Sequence, residues 1–273
     1  MSSNDTMSRS KTCLICKNAV ELIFVRKILG KYDVSYFQCK SCQFVQTEYP
    51  YWLDEAYKSA ITALDLGLAT RSVNNTHFLT SFINRYFRNN QRFIDFGGGY
   101  GLTVRLMRDQ GFDYYRQDDY CDNLFAQGLD VVNLAEESSR FELLTAFEVF
   151  EHLVDVHKEW NRMFAYSDTI LFTTELIPES LEALKQWRYL IPETGQHISL
   201  FSRKSLEHIA QTYNLHLQSR GDMHLLSKRT FPKNCLKLPT KVKLGRKLLS
   251  SKHPSLIDAD YKAREEQLRA RQQ

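Results

Sequence analysis

Apolar positions along the chain change period several times. Leu22, Phe24, Val25 and Ile28, followed by Val34, Tyr36 and Phe37, recur at strand spacing and predict a β-hairpin. Trp52, Ala56, Tyr57, Ala60, Ile61 and Leu64 then recur at helical spacing. Gly67 interrupts that pattern, and a second helix is predicted over 69–89, with Val73, Leu79, Phe82, Ile83, Tyr86 and Phe87 on its apolar face. From Arg92 onward, short apolar runs alternate with helical stretches. Strands are expected at 92–96, 114–117, 131–133, 141–147 and 169–173, and helices at 102–110 and 124–129, the first ended by Gly111. A helix-like stretch covers 181–189. Ser202 is placed to cap a helix over 205–213, and 215–219 pairs with 223–226 across a turn at Gly221-Asp222. Strands alternating with helices predict an α/β fold built on a mostly parallel sheet.

Composition narrows the class without changing the fold. The 273 residues leave room for one large domain or two modest ones, and 43% hydrophobic with 25% charged is an ordinary globular balance. A net charge of +4 is too mild to imply nucleic acid as a partner, and DNA is not expected. Lys228, Arg229, Lys233, Lys237, Lys241, Lys243, Arg246 and Lys247 make the last segment locally basic, either a solvated face or an attraction for phosphates. Residues 1–11 are polar with no signal-peptide core, and no apolar run reaches membrane-spanning length, so a cytoplasmic location is expected.

Four of the six cysteines form two pairs, Cys13 with Cys16 and Cys39 with Cys42, separated by a 22-residue gap that contains the predicted hairpin. Without a secretory signal, this spacing favours a structural tetrahedral Zn²⁺ site over a disulfide framework. A segment this short has little core of its own, so bound metal would supply folding energy.

The densest chemistry lies between Phe93 and Leu102. A short apolar run ends in Asp95 and Phe96, then Gly97, Gly98, Gly99, Tyr100 and Gly101 form a glycine-rich turn before a helix. Glycines at such a turn admit positive φ and close approach of a ligand to the backbone. The dinucleotide pattern G-x-G-x-x-G fails, because its third glycine would fall on Leu102. Asp95, Gly97, Gly99 and Gly101 instead carry D-x-G-x-G-x-G, which resembles the first motif of the class I S-adenosylmethionine-dependent methyltransferases. The resemblance extends from Phe93 to Leu226. It implies a Rossmann-like sheet with helices on both faces, preceded here by a zinc-ribbon-like module and a helical lid. Asp65, Arg71, Asn74 and Asn75 near the helix break could face a substrate or simply be a solvated helix end.

By this resemblance, S-adenosyl-L-methionine is the expected cofactor, held by Asp95, Phe96, Gly97, Gly99 and Gly101. Asp118 follows Asp95 by 23 residues, at the end of the second strand, where a carboxylate accepts from ribose hydroxyls; Asp119 is its neighbour. Glu148 ends the fourth strand and faces the ligand crevice, while Glu151 and His152 suit a role bracing the next helix. Ala135-Glu136-Glu137 stands where the family's adenine motif would be, without a clear match. The segment Gly195-Gln196-His197 through Ser202 resembles one in sugar-directed members. A loop histidine with pKa near neutrality can take a proton from a hydroxyl, so His197 is the expected base, with Tyr189 as its partner.

N-P-P-[FY], the usual signature for planar nitrogen acceptors, is absent from the sequence. The acceptor is therefore expected to be oxygen or carbon on a small molecule or glycan, with a sugar or nucleotide sugar first. An RNA or protein methyltransferase that docks through the zinc module, and a non-catalytic binding module of the same fold, are the alternatives. The expected division is a disordered 1–11, a zinc module at 12–48, a helical lid at 49–90, the methyltransferase domain at 91–228 and a basic tail at 229–273.

Overall fold

A computed structural model of the chain describes residues 11–58, 62, 64–88, 91–134, 140–237 and 253–270. Residues 1–10, Ala60, Ile61, Asn89, Ala135, Glu136, Glu137, Lys241, Lys243, Arg246 and Lys247, for which expectations were stated above, lie outside the described residues. In chain order the strands are β1 Val20–Ile28, β2 Tyr32–Cys39, β3 Val45–Thr47, β4 Arg92–Phe96, β5 Asp113–Gln117, β6 Leu143–Phe147, β7 Thr169–Thr173, β8 Ser199–Leu200, β9 His216–Arg220 and β10 Met223–Ser227. The helices are α1 Leu53–Ala56, α2 Leu68–Tyr86, α3 Leu102–Asp109, α4 Val156–Tyr166, α5 Leu181–Lys185, α6 Arg203–Thr212 and α7 Ile257–Ala270.

One sheet has the strand order β5-β4-β6-β7-β10-β9. β4 runs parallel to β5 and β6, while β10 is antiparallel to β7 and to β9. This is the mixed, mostly parallel α/β sheet that the alternation predicted. Ser202 caps α6 as expected, accepting from Ser205 N, and the Ser205 hydroxyl returns a bond to complete a capping box. A second sheet has the order β1-β2-β3-β8. Its hairpin β1–β2 fills the gap between the cysteine pairs, with Val20 opposite Cys39 and Ile28 opposite Tyr32. The fourth strand of that sheet is β8, drawn from far along the chain, which supplies the edge that β3 would otherwise expose.

Several elements depart from the sequence pattern. Residues 131–133 form a 3₁₀ turn instead of a strand; a single parallel bridge between Arg116 and Asp130 marks the place. Beyond that bridge the N–H of Asn133 donates back to Asp130, and Val132 is left 89% exposed, so two valines with no neighbouring strand to bury them do not extend. Residues 124–129 are turns, not a helix. Their backbone donors go elsewhere: Leu124 N and Phe125 N both bond Tyr100 O, and Ala126 N bonds the Asn123 side chain. Among the described residues, the helix expected from Trp52 to Leu64 is only the single turn α1; the carbonyl of Ala56, which a longer helix would use, accepts from the Gln196 side chain. The 181–189 stretch divides into α5 and a 3₁₀ turn at Arg188–Leu190.

The chain forms two compact units that do not follow chain order. One comprises Met1–Thr62, Ala146–Phe164 and Thr169–Thr230; the other comprises Ala63–Thr145, Ala165–Asp168 and Phe231–Gln273. The first has a core of Ile28, Val34, Tyr36, Val45, Trp52, Leu190, Ile198 and Leu200, among others, which joins the hairpin to the segment around β8. In the second, α7 is tied to α3: Asp260 accepts from Arg105 and Arg108. No helix among the described residues is long and apolar enough to cross a membrane.

Candidate active site

The glycine loop follows β4 at the strand's C-terminal end. Gly97, Gly99 and Gly101 all have positive φ. Gly97 N and Gly98 N donate to Gln117 O at 2.8 and 3.2 Å, which ties the loop to the end of β5. A Cβ on Gly101 would lie 2.8 Å from Ala126 and 2.9 Å from Asn123, so this position has room only for glycine. A Cβ on Gly99 would meet nothing within 4 Å, so the backbone there is open to a ligand.

Asp118 meets this loop from β5. Its Oδ2 accepts from Gly99 N at 2.9 Å, and its Oδ1 accepts from Tyr120 N and Cys121 N at 2.8 and 2.7 Å. Each carboxylate oxygen has two lone pairs, so these bonds orient Asp118 and leave acceptor capacity for hydroxyls. Asp119 is exposed and accepts from Gln117. Asp95 is buried and its Oδ1 accepts from Thr145 at 2.6 Å. Burial pushes the Asp95 carboxyl up to about 7; the Thr145 bond and the Arg116 charge oppose the rise, and the Asp118 charge adds to it. The Phe96 side chain is buried, near the Tyr166 ring, so only its backbone serves the loop.

Arg116 has no role in the sequence motifs described above. It lies in β5 with its side chain buried, donating to Gly99 O at 2.6 Å, to Asp130 at 2.6 Å and to Cys121 O. Asn123 holds the other oxygen of Asp130 at 2.8 Å. A buried guanidinium with three acceptors fixes both the glycine loop and the turn after β5. The one clue in the sequence was acids spaced around an arginine in a strand: Asp118, Asp119 and Asp130.

Glu148, Tyr189 and His197 belong to the other unit. Glu148 ends β6 with φ +54, a strained value for a non-glycine residue. The strain is held by Thr173: Glu148 N donates to its hydroxyl at 2.9 Å, and that hydroxyl donates to Glu148 Oε1 at 2.8 Å. His197 sits in a loop pinned on every side. Trp52 Nε1 donates to Gly195 O at 2.8 Å, Gln196 Nε2 to Ala56 O at 2.8 Å, and Ile198 N to Glu151 O at 2.9 Å. His197 Nδ1 lies 2.5 Å from Tyr189 O. A carbonyl only accepts, so Nδ1 carries the hydrogen and Nε2 keeps its lone pair. Tyr189 is thus the partner of His197, through its backbone; its hydroxyl lies 3.4 Å from Thr174 instead, and burial pushes the phenol well up.

One expectation for His197 does not hold. Burial first, and the adjoining His152 second, push the imidazole down to about 3, so it is neutral near pH 7 rather than poised there. Glu151 and His152 do not cap α4 either; they form a 3₁₀ turn ahead of it. His152 Nδ1 is 3.0 Å from the Tyr57 hydroxyl and 3.2 Å from Gln196 O.

Gly195 is required where it stands. Its φ is +66, and a Cβ would lie 2.7 Å from Ile28 and 3.0 Å from Trp52 Nε1. Gly195→Ala is expected to destabilise the fold by about 1–3 kcal/mol, the range for backbone strain with overpacking. Denaturant unfolding checks this, and a loss below about 0.5 kcal/mol, the scale of a neutral surface change, would contradict it.

The four cysteines converge as their spacing predicted. Cys13 and Cys42 sulfurs are 3.5 Å apart, Cys16 and Cys39 sulfurs 3.4 Å apart, all four lie within 4.8 Å of one another, and none is in a disulfide. Lys17 and Gln43, each directly after its pair, turn with positive φ. The Cys13 and Cys42 sulfurs are within hydrogen-bond reach, and this contact lowers the Cys13 thiol to about 5.

Residues 71–220, more than half of the chain, match a family described as methyltransferase domain. A search of curated proteins gave no match. Among solved structures, the chain is similar to magnesium protoporphyrin IX methyltransferase from Synechocystis PCC 6803 with bound SAH (10% identity, TM-score 0.43, covering 64% of this chain and 90% of that one). It is also similar to the plantazolicin methyltransferase BpumL in complex with a monoazolic desmethylPZN analog and SAH (12%, 0.46, 72% and 82%). A third is the mitomycin 7-O-methyltransferase MmcR (14%, 0.41, 64% and 59%). With the strand–glycine loop–helix unit in place and the family match spanning it, the chain belongs to the class I S-adenosylmethionine-dependent methyltransferases.

Proposed function

We propose that the chain methylates an oxygen or carbon of a sugar-like acceptor, a nucleotide sugar or a glycan, in the cytoplasm. The observation that carries this reading is His197: it is buried on a pinned loop, with Nδ1 fixed on Tyr189 O and the Nε2 lone pair uncommitted to that bond. A hydroxyl, or a carbon beside a sugar carbonyl, accepts a methyl group only as it loses a proton. That loss is assigned to the cluster around His197, with Nε2 as the contact atom.

S-adenosylmethionine supplies an activated methyl on its sulfonium. The residues present fit such a group. The open face at Gly99 admits it, Asp118 offers acceptor capacity to ribose hydroxyls, and Gly97 and Gly101 keep the loop low. Asp118→Ala is expected to weaken S-adenosylhomocysteine binding by about 1.5–3 kcal/mol, the scale of hydrogen bonds to a charged group. Calorimetry on wild type and variant reads this, and unchanged affinity would remove Asp118 from the site.

The four cysteines are assigned one structural Zn²⁺. Sulfurs on a tetrahedral ion with bonds of about 2.3 Å lie about 3.8 Å apart, close to the spacings found. The acceptor is tested by incubating the chain with methyl-labelled S-adenosylmethionine and a panel of nucleotide sugars, followed by mass spectrometry. A product gaining one methyl on oxygen or carbon supports the reading. Label transferred only to RNA or protein would replace it with the alternative in which the cysteine module docks a macromolecule.

A further inference from the structure

Glu151 has no exposed surface, and neither carboxylate oxygen has a hydrogen-bond partner among the described residues. An uncompensated buried carboxylate is among the most costly groups a fold can hold, and native structures answer it with a partner or a cation. Around it stand a second acid, Glu148, the hydroxyls of Tyr189 and Thr174, which draw its pKa down without making a full hydrogen bond, and two imidazoles. Burial first, and the Glu148 charge second, raise the Glu151 carboxyl to about 8, so without a cation beside it the group is held as the neutral acid near pH 7.

The two imidazoles are arranged differently. His152 Nε2 lies 3.9 Å from Glu151 Oε1, and the His152 and His197 rings stand 4.9 Å apart at 89°. His197 turns Nδ1 toward Tyr189 O at 2.5 Å, while His152 Nδ1 stands between the Tyr57 hydroxyl at 3.0 Å and Gln196 O at 3.2 Å. Nδ1–H held on a carbonyl, with Nε2 left free, is how proteins orient histidines that ligate metals, and His197 has that arrangement. Ligand atoms of Glu151, His152 and His197 all lie within 4.8 Å of one another. Bonds of about 2.0–2.2 Å to one ion bring ligand atoms to roughly 3–3.5 Å, so an ion would draw the three side chains closer than they now stand.

We propose that Glu151, His152 and His197 form a second metal site, binding one divalent transition-metal ion through two imidazole nitrogens and one carboxylate. Two nitrogens and one oxygen suit Zn²⁺, Fe²⁺ or Co²⁺ and leave coordination positions open. The site differs in kind from the four-cysteine cluster, whose four sulfurs would fill a tetrahedral ion and leave no position open. An ion here neutralises the orphaned carboxylate. With an ion bound, His197 Nε2 would be a ligand and no longer the contact atom for the proton; the ion would instead lower the pKa of a hydroxyl that coordinates it. Ion binding rests on the cluster alone; only its catalytic use rests on the reading given under Proposed function.

The test is Co²⁺ titration of the full chain after the cysteine site has been filled with Zn²⁺, followed by optical spectroscopy and calorimetry. One Co²⁺ per chain is expected, with weak ligand-field bands and no thiolate charge-transfer band. Glu151→Gln and His197→Gln should each weaken binding at least tenfold while keeping a cooperative melt. If a variant fails to fold, the wild-type spectrum decides by itself. No Co²⁺ uptake, uptake showing only thiolate charge transfer, or uptake undiminished in both folded variants would overturn the site. Methyl transfer to the sugar panel is scored separately, so failure of the acceptor reading and failure of the ion site remain distinct.

Discussion

His197→Gln is expected to lower turnover on the true acceptor by about 10²–10⁴-fold, the usual contribution of a group that handles a proton. Affinity for S-adenosylhomocysteine should be nearly unchanged, because the glycine loop, Asp118 and Arg116 that shape the cofactor end are bonded to one another and none of those bonds involves His197. The variant should also fold. The Nδ1 bond to Tyr189 O can be replaced by the glutamine amide, and the loop stays pinned by Trp52 on Gly195 and by Ile198 on Glu151. Single-turnover methyl transfer alongside calorimetry separates the two effects. Wild-type turnover in the variant would move proton handling to Glu148 or His152.

Removing zinc should have the largest effect on stability. Structural zinc contributes an apparent 10–16 kcal/mol in small zinc-dependent folds, roughly, and the cysteine end of the sheet β1-β2-β3-β8 lies beyond the apolar core around Trp52 and Leu190. Cys39 closes β2, and Cys42 O accepts from Ser202 at 2.7 Å, just past β8. Loss of the ion therefore reaches the segment that carries His197. Cys39→Ser, or strong chelation, is expected to abolish the cooperative melt of this unit and the protection of β1–β3 amides in hydrogen exchange. Freshly purified, unchelated protein should hold one Zn²⁺ on the four sulfurs by metal analysis and X-ray absorption. Protein without zinc at these sulfurs, yet melting cooperatively, would defeat the assignment.

What could be read from the sequence was local. The run from Phe93 to Leu102 states its own conformation, because an apolar strand, three alternate glycines and a helix start are all short-range signals. The cysteine pairs are equally local, and the turns at Lys17 and Gln43 realise them. Residues 131–133 failed because two adjacent valines say nothing about whether a strand exists beside them. α1 ends at Ala56, short of the expected helix, because Gln196, more than a hundred residues away, takes the Ala56 carbonyl.

At the site, the same divide holds. Asp118 was found by its distance from Asp95, and the structure brings it to Gly99 N. Arg116 was missed because an arginine in a strand looks exposed until its acceptors, Gly99 O, Cys121 O and Asp130, are folded around it. His197 was placed as a base of near-neutral pKa, since a loop position suggests water; Trp52, Tyr189 and His152 enclose it instead. Burial is a property of the whole fold, so neither the neutral His197 nor the orphaned Glu151 could be seen from their neighbours in sequence.

The central claim is that the loop from Asp95 to Gly101 holds S-adenosylmethionine. Titrating the full chain with S-adenosylhomocysteine in a calorimeter tests it most directly. Saturable binding of one molecule per chain, with none for NAD, is the predicted result. No saturable heat with S-adenosylhomocysteine or S-adenosylmethionine at millimolar concentration, or NAD binding in their place, would contradict it.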